Sequence, residues 1–227
     1  MIGNALRVEI ERTAERWRRE SPLYLRAFEG SLTRADVVRY LTHLREVLRE
    51  TPYSLARARD RAREIGDAAL AAHYAEKVAE ETGHHEWATN DLERLESQTR
   101  LPIQTELLPS AAALIRFQRA TIDEDPVLFL SYTLLAEYFT VLLGPSWLEL
   151  LETRCGIPKT SMSTVGNHVA ADKDHVEETL ESIDALVGDP RKLARMREVL
   201  AGATTCWENF FAEVLDARDA AKHVSAA

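Results

Sequence analysis

Apolar residues recur along the chain at intervals of three and four, and no alternating run of useful strand length interrupts them. Leu6, Ile10, Ala14 and Trp17 make the stripe of a first helix, which Ser21-Pro22 ends. Thr33, three residues ahead of Asp36, has the form of a capping box and opens a second helix with Val37, Leu41, Leu44 and Leu48 on its inner face. Thr51-Pro52 is expected to bend or interrupt that helix, which resumes from Tyr53 to Glu64. Gly66-Asp67 opens a long third element reaching about Ser97, and Gln98 to Pro109, with two prolines, reads as a surface connection. Ser110 is the expected cap of the next helix, through Leu114, Phe117 and Ile122. Asp125-Pro126 then starts a strongly apolar helix that Gly144-Pro145 should stop, and a short helix from Trp147 to Arg154 follows. A helix from about Lys159 to Val187 and a last one to about Asp219 complete the pattern, with Lys222 to Ala227 expected to fray. The expectation is an all-α fold, one helical bundle of seven to nine helices forming a single domain over residues 1–227.

Charge and composition narrow the partners. A net charge of −9 argues against a surface that tracks phosphates, and no basic amphipathic helix is present to lie on a membrane. The first 66 residues are arginine-rich and the remainder acidic, which suggests ion pairs between helices, within a subunit or across a homodimer. The apolar run from Pro126 to Gly144 approaches spanning length, but Ser131, Tyr132, Thr133, Glu137, Tyr138 and Thr140 interrupt it, so a buried core helix is expected rather than a membrane helix. Cys155 and Cys206 are too few for a disulfide framework, and the first residues show no signal-peptide pattern, so a cytoplasmic location is expected.

The candidate chemistry centres on Asn167 to His175. At about 100° per residue, His168, Asp172 and His175 share one narrow helical stripe, a face that either takes a divalent cation or is simply solvated like its neighbours Lys173, Asp174, Glu177 and Glu178. Glu137 is the only charged residue between Pro126 and Gly144, and a carboxylate there must be protonated, paired with an arginine or bound to a cation. Glu81 and His84 form an ExxH pair, with His85 as an alternative to His84, and Gly83 between them is unfavourable in a helix unless a cofactor or another backbone comes close. Three imidazoles and three carboxylates suit two iron ions better than zinc. Two ferrous ions carry +4 against −3, so a fourth anion is wanted: Glu46 and Glu50 are candidates, Glu50 the preferred one, and a substrate carboxylate would serve as well.

Taken together these motifs resemble the haem-oxygenase-like diiron oxidases, which share an architecture with the TenA and PqqC proteins and include the chlamydial CADD protein. The family's last metal helix carries HxxxDxxH, matched position for position by His168, Asp172 and His175. Its middle metal helix supplies a glutamate, for which Glu137 stands at the expected sort of separation, and its first supplies a glutamate and a histidine, for which Glu81 and His84 are the nearest match. Some members place that pair further apart, which leaves His84 and His85 both open. The resemblance covers about residues 33 to 215. It implies two O2-reactive Fe(II) ions, an external electron donor and a small amine, amino acid or carboxylate as substrate, oxidised by N-oxygenation, desaturation or oxidative C–C cleavage. Tyr132 and Tyr138 are candidates to fix the ligands, and Arg116 or Arg119 to hold a substrate carboxylate. Three other readings compete. A haem oxygenase would need an axial histidine near the N-terminus, and none precedes His43; a metal-free TenA/PqqC-like enzyme of the thiaminase type would need a nucleophilic cysteine; and a non-enzymatic iron-binding or structural helical protein would need no substrate site.

Overall fold

A computed structural model of the chain describes residues 1–97 and 106–224, with side chains to residue 216. Nine α-helices make up the described residues: α1 (Ile2–Glu20), α2 (Pro22–Phe28), α3 (Arg34–Glu64), α4 (Ala68–Glu81), α5 (His85–Glu96), α6 (Pro109–Glu124), α7 (Phe129–Cys155), α8 (Ser163–Leu186) and α9 (Lys192–Val224). No strand occurs among them. Leu6, Ile10, Ala14 and Trp17 on α1, and Val37, Leu41 and Leu44 on α3, are all below a tenth exposed, while Leu48 at the end of the expected α3 stripe is half-buried. The Thr33 capping box forms as expected, with the Thr33 N–H donating to Asp36 and the Asp36 N–H to the Thr33 hydroxyl.

Helix α7 runs through the middle, packed against α8, α9, α1 and α2, while α3 gathers α4, α5 and α6 on the other side. Among the described residues α7, with the short turn before it, is the one segment long and apolar enough to cross a membrane, and 61% of its most apolar window is buried inside the bundle. It ends as its sequence dictates: Gly156 takes the left-handed conformation (φ 65°), and the Ile157 N–H closes back onto the Leu151 carbonyl.

Several expected boundaries shift. Neither Pro52 nor Pro145 ends its helix: α3 and α7 are continuous through them. An interior proline costs about 3 kcal/mol, and the burial of Val47 and Leu55 around Pro52, and of Gly144, Trp147 and Leu148 around Pro145, outweighs that cost. The expected third element is two helices, α4 and α5, broken at Gly83. Ser110 caps nothing with its side chain; α6 starts at Pro109, and Glu213 on α9 accepts the Ser110 N–H at 2.8 Å instead. The expected helix from Lys159 begins at Ser163, after a single 3₁₀ turn, and the last helix continues to Val224. Of the expected surface connection, residues 98–105 lie outside the described residues, as do residues 225–227 of the expected frayed tail. The arginine-rich N-terminal part pairs across helices within the chain, as in Arg7 with Glu177, Arg16 with Glu208 and Arg57 with Asp123.

Candidate metal centre

The placement of α8 is set by two contacts that flank its first candidate ligand, His168. At its N-terminus the buried carboxylate of Asp91, on α5, accepts four hydrogen bonds of 2.7–2.9 Å: the N–H and hydroxyl of Ser163 and the N–H and hydroxyl of Thr164. Four donors that a helix start would otherwise leave partly unpaired are thus satisfied from a neighbouring helix. Within its first two turns α8 lies against Gly144 of α7, where an added Cβ would sit 2.5 Å from Val169 Cγ2 and 3.3 Å from Val165 Cγ1. Gly144 therefore allows close approach and is not a helix stop. From this fixed helix His168 points its Nδ1 at the Thr164 carbonyl, 2.7 Å away, so Nδ1 carries the proton and Nε2 keeps its lone pair for a ligand.

Gly83 supplies the second element. Its φ of 95° lies in a region that glycine enters without strain, and a Cβ there would meet nothing within 4 Å, so backbone conformation explains this glycine and close packing does not. The break turns the chain so that His84, in the turn before α5, donates its Nδ1 proton to the Glu81 carboxylate at 3.0 Å. Trp87 stacks on His84 with ring centroids 4.1 Å apart and meets His168 edge-on at 5.0 Å. One ligand atom from each of Glu81, His84 and His168 falls within 4.8 Å of the others, which is a spacing one ion can bridge. His84, and not His85, stands in this cluster.

Glu137, Asp172 and His175 form a looser group beside it. Asp172 Oδ1 lies 3.6 Å from His175 Nδ1, and Glu137 Oε2 accepts from the Thr179 hydroxyl at 2.9 Å. The buried Asp172 Oδ1 and His175 Nδ1 have no hydrogen-bond partner. Burial, helped by the charges of its neighbours Glu137 and Glu81, pushes the Asp172 carboxyl up to about 9. Burial likewise pushes Glu137 up to about 8, against the pull of Lys77 and Thr179. Burial works on Glu81 too, but the hydrogen bond to His84 and the charges of His84, His168 and His175 outweigh it and hold Glu81 below the usual range.

The sequence pattern missed several residues here. Lys77, on α4, is only 5% exposed and places Nζ 2.8 Å from Glu80 Oε2, 3.7 Å from Glu178 and 3.9 Å from Glu137. Its spacing carried a signal, because Leu70, Tyr74, Lys77 and Glu81 follow one another at four, three and four, the interval of a buried stripe. Glu50, the preferred fourth carboxylate, pairs with Arg119 between α3 and α6 and does not line the site, while Glu46 pairs with Arg45 and Arg49. The carboxylate that does approach is Glu80, 3.6 Å from His175 Nε2. Arg116 and Arg119 are exposed and away from the cavity. The Tyr132 hydroxyl accepts from the Gln118 amide and the Tyr138 hydroxyl donates to Glu11, so neither meets a candidate ligand, and the residues that do hold candidate ligands are Thr164 and Thr179.

Beside the cluster is a cavity of about 210 Å³. Lys77, Glu81, Glu137, His168 and Asp172 supply its charged lining, and the rest is overwhelmingly apolar and aromatic, including Trp17, Tyr40, Leu44, Trp147 and Phe211. Neither cysteine lines it, and burial raises both thiols. The donor set fits divalent metal. Carboxylates crowded enough to hold protons near neutrality, a buried carboxylate oxygen without a donor, and imidazoles with one nitrogen anchored are what a cation would satisfy.

No protein-family model and no curated protein matches the chain. Among solved structures it is similar to a domain of unknown function with a haem-oxygenase-like fold from Shewanella denitrificans OS217, with a TM-score of 0.84, 17% identity and coverage of 95% of this chain and 93% of that one. A TenA homologue from Pseudomonas syringae pv. tomato DC3000 superposes with a TM-score of 0.68 at 19% identity, covering 94% and 92% of the two chains. A CADD-like protein of unknown function from Nostoc punctiforme PCC 73102 gives 0.68 at 16% identity, covering 93% and 96%. The chain therefore has the haem-oxygenase-like fold, the all-helical architecture it shares with these TenA-like and CADD-like proteins.

Proposed function

We propose that the chain is an O2-dependent non-haem diiron oxidase acting on a small amine, amino acid or carboxylate whose body is apolar. The observation that carries this reading is the convergence of three imidazoles and three carboxylates from three helices, α4, α7 and α8, and the turn before α5, several of them lining an apolar cavity. Glu81, His84 and His168 would hold one iron, and Glu137, Asp172 and His175 the other. When bound, the iron pair supplies the reaction with O2, which no side chain here can perform. The protein's own share is positioning. Thr164 fixes the tautomer of His168, Thr179 fixes the rotamer of Glu137, and Trp87 braces the rings of His84 and His168. The aromatic lining excludes water and leaves a substrate's apolar body in contact with Tyr40, Leu44 and Phe211. In a two-electron oxidation the substrate provides half of the four electrons that reduce O2 to water, so an external donor provides the other two.

The lack of a cavity cysteine among the described residues weighs against a thiaminase-type nucleophile. Anaerobic reconstitution with Fe(II) should load about two ions per chain, and His168→Ala and His175→Ala should each remove one. Loading below about one ion per chain, or variants that load like the parent, sinks the diiron reading. O2 uptake by the loaded protein, with a panel of amino acids, fatty acids and amines, then names the substrate class. Full loading with no response to any of them would favour iron binding without catalysis.

A further inference from the structure

Lys77 has no part in the reading above, yet it is the most deeply placed cation of the site. Lysine is rarely buried unless paired, and here each of its pairs is to α4, α7 or α8, the helices that carry Glu81, Glu137 and the HxxxDxxH residues. Its ammonium reaches Glu137 at 3.9 Å, whereas no ion pair joins it to Glu81. The positive charge is thus placed on one half of the site only. That half is the looser one, with Asp172 Oδ1 and His175 Nδ1 unpartnered, while Glu81, His84 and His168 already stand at ligand spacing.

We infer that Lys77 is a resident counter-cation of the Glu137, Asp172 and His175 half of the centre, which a second metal ion must displace. The inference rests on the diiron reading. While that half lacks an ion, the ammonium stands 3.9 Å from the Glu137 carboxyl, on the approach that a metal ion would use. An arriving dication competes for the same carboxylate and repels the ammonium at close range. Glu80 and Glu178 remain as partners, so Lys77 can give up Glu137 without being stranded. Loading is then ordered: the Glu81, His84 and His168 half fills first, and the second ion binds more weakly than its own ligands would dictate.

The test is an anaerobic Fe(II) titration of the full chain, followed by calorimetry and by Mössbauer spectra at one and two equivalents, for the parent, Lys77→Met and Lys77→Arg. The parent should show two steps separated by at least about tenfold in affinity. Lys77→Met should tighten the second step by about tenfold or more and leave the first within about threefold, while Lys77→Arg, which keeps the charge, should preserve the separation. Metal-free Lys77→Met should also melt below the parent, and its rise in melting temperature on loading should be the larger of the two. Lys77→Gln keeps a hydrogen-bonding head for Glu80 and carries the same expectation if Lys77→Met does not fold. A second step that is unchanged or weaker in the neutral variants, or two equal steps in the parent, overturns the role of Lys77 and leaves the diiron reading standing. A parent that binds no iron overturns the diiron reading itself.

Discussion

Gly144→Ala offers a test of how tightly the bundle holds its candidate ligands, because the added methyl group would sit 2.5 Å from Val169 Cγ2. Ordinary contact begins at 3.4 Å, so the two helices must part locally by about 0.9 Å, and close-packed interiors have no slack to absorb that. Val169 is β-branched and has one preferred rotamer in a helix, so α8 moves in preference to the side chain. The cost expected for such overpacking is about 1–3 kcal/mol. Because His168 is the adjacent residue, and a metal site needs its ligands within about 0.5 Å, the same displacement should weaken Co(II) binding by the Glu81, His84 and His168 group about 10–100-fold. Urea unfolding of metal-free protein gives the first quantity, and Co(II) absorbance titration the second. The double variant Gly144→Ala/Val169→Ala removes the clash, so it should recover most of the stability and the affinity, with a favourable coupling of at least about 1 kcal/mol. The reasoning fails if Gly144→Ala folds and binds like the parent, or if Val169→Ala costs the same in both backgrounds.

Three further outcomes are expected. In metal-free protein Glu137 and Asp172 keep their protons to about pH 8 and 9, far above the unfolded values of 4.5 and 3.8, so stability should fall as pH rises through this range. His73 and His168, both pushed below 6.5, act in the opposite direction up to that pH, so the informative window is pH 7 to 8. There melting temperature should drop for metal-free but not for metal-loaded protein, and loading at pH 7 should release about two protons, measurable by calorimetry in buffers of different ionisation enthalpy; flat stability and no proton release would refute this. Asp91→Ala strips four hydrogen bonds from the start of α8 and should cost about 2–3 kcal/mol in denaturant unfolding, with weaker metal binding. Glu50→Gln removes only the pairing with Arg119, so it should cost less than about 1 kcal/mol and leave iron stoichiometry unchanged.

Much of this was legible in the residues alone, for physical reasons that differ from case to case. The stripes of α1, α3 and α8 repeat at the helical interval, so burial and the shared face of His168, Asp172 and His175 follow from local geometry. Glu137 stood out because charge in an apolar helix needs a compensating partner, and its buried surroundings bear that out. Gly144 and Pro145, expected to stop a helix, misled because local propensity was outweighed by packing that only the assembled bundle supplies, and Pro52 likewise leaves α3 uninterrupted. Glu50 misled for a related reason: the charge count asked for a fourth anion, but the chain brings Arg119 to Glu50 and Glu80 to His175. Lys77 sits on a readable stripe, although lysine is rarely buried unless paired.

The turn at Gly83 has a consequence for how such a site can vary. His168, Asp172 and His175 lie along one unbroken helix, where inserting or deleting a single residue rotates every later side chain by about 100° and destroys the set. Glu81 and His84 lie on either side of a left-handed break, so the number of residues between them is a property of a loop, which tolerates changes in length. The two halves of the ligand set are therefore under different constraints. A change in the length of the first spacing can leave Glu81 and the imidazole within reach of each other, whereas a change in the second takes the stripe apart.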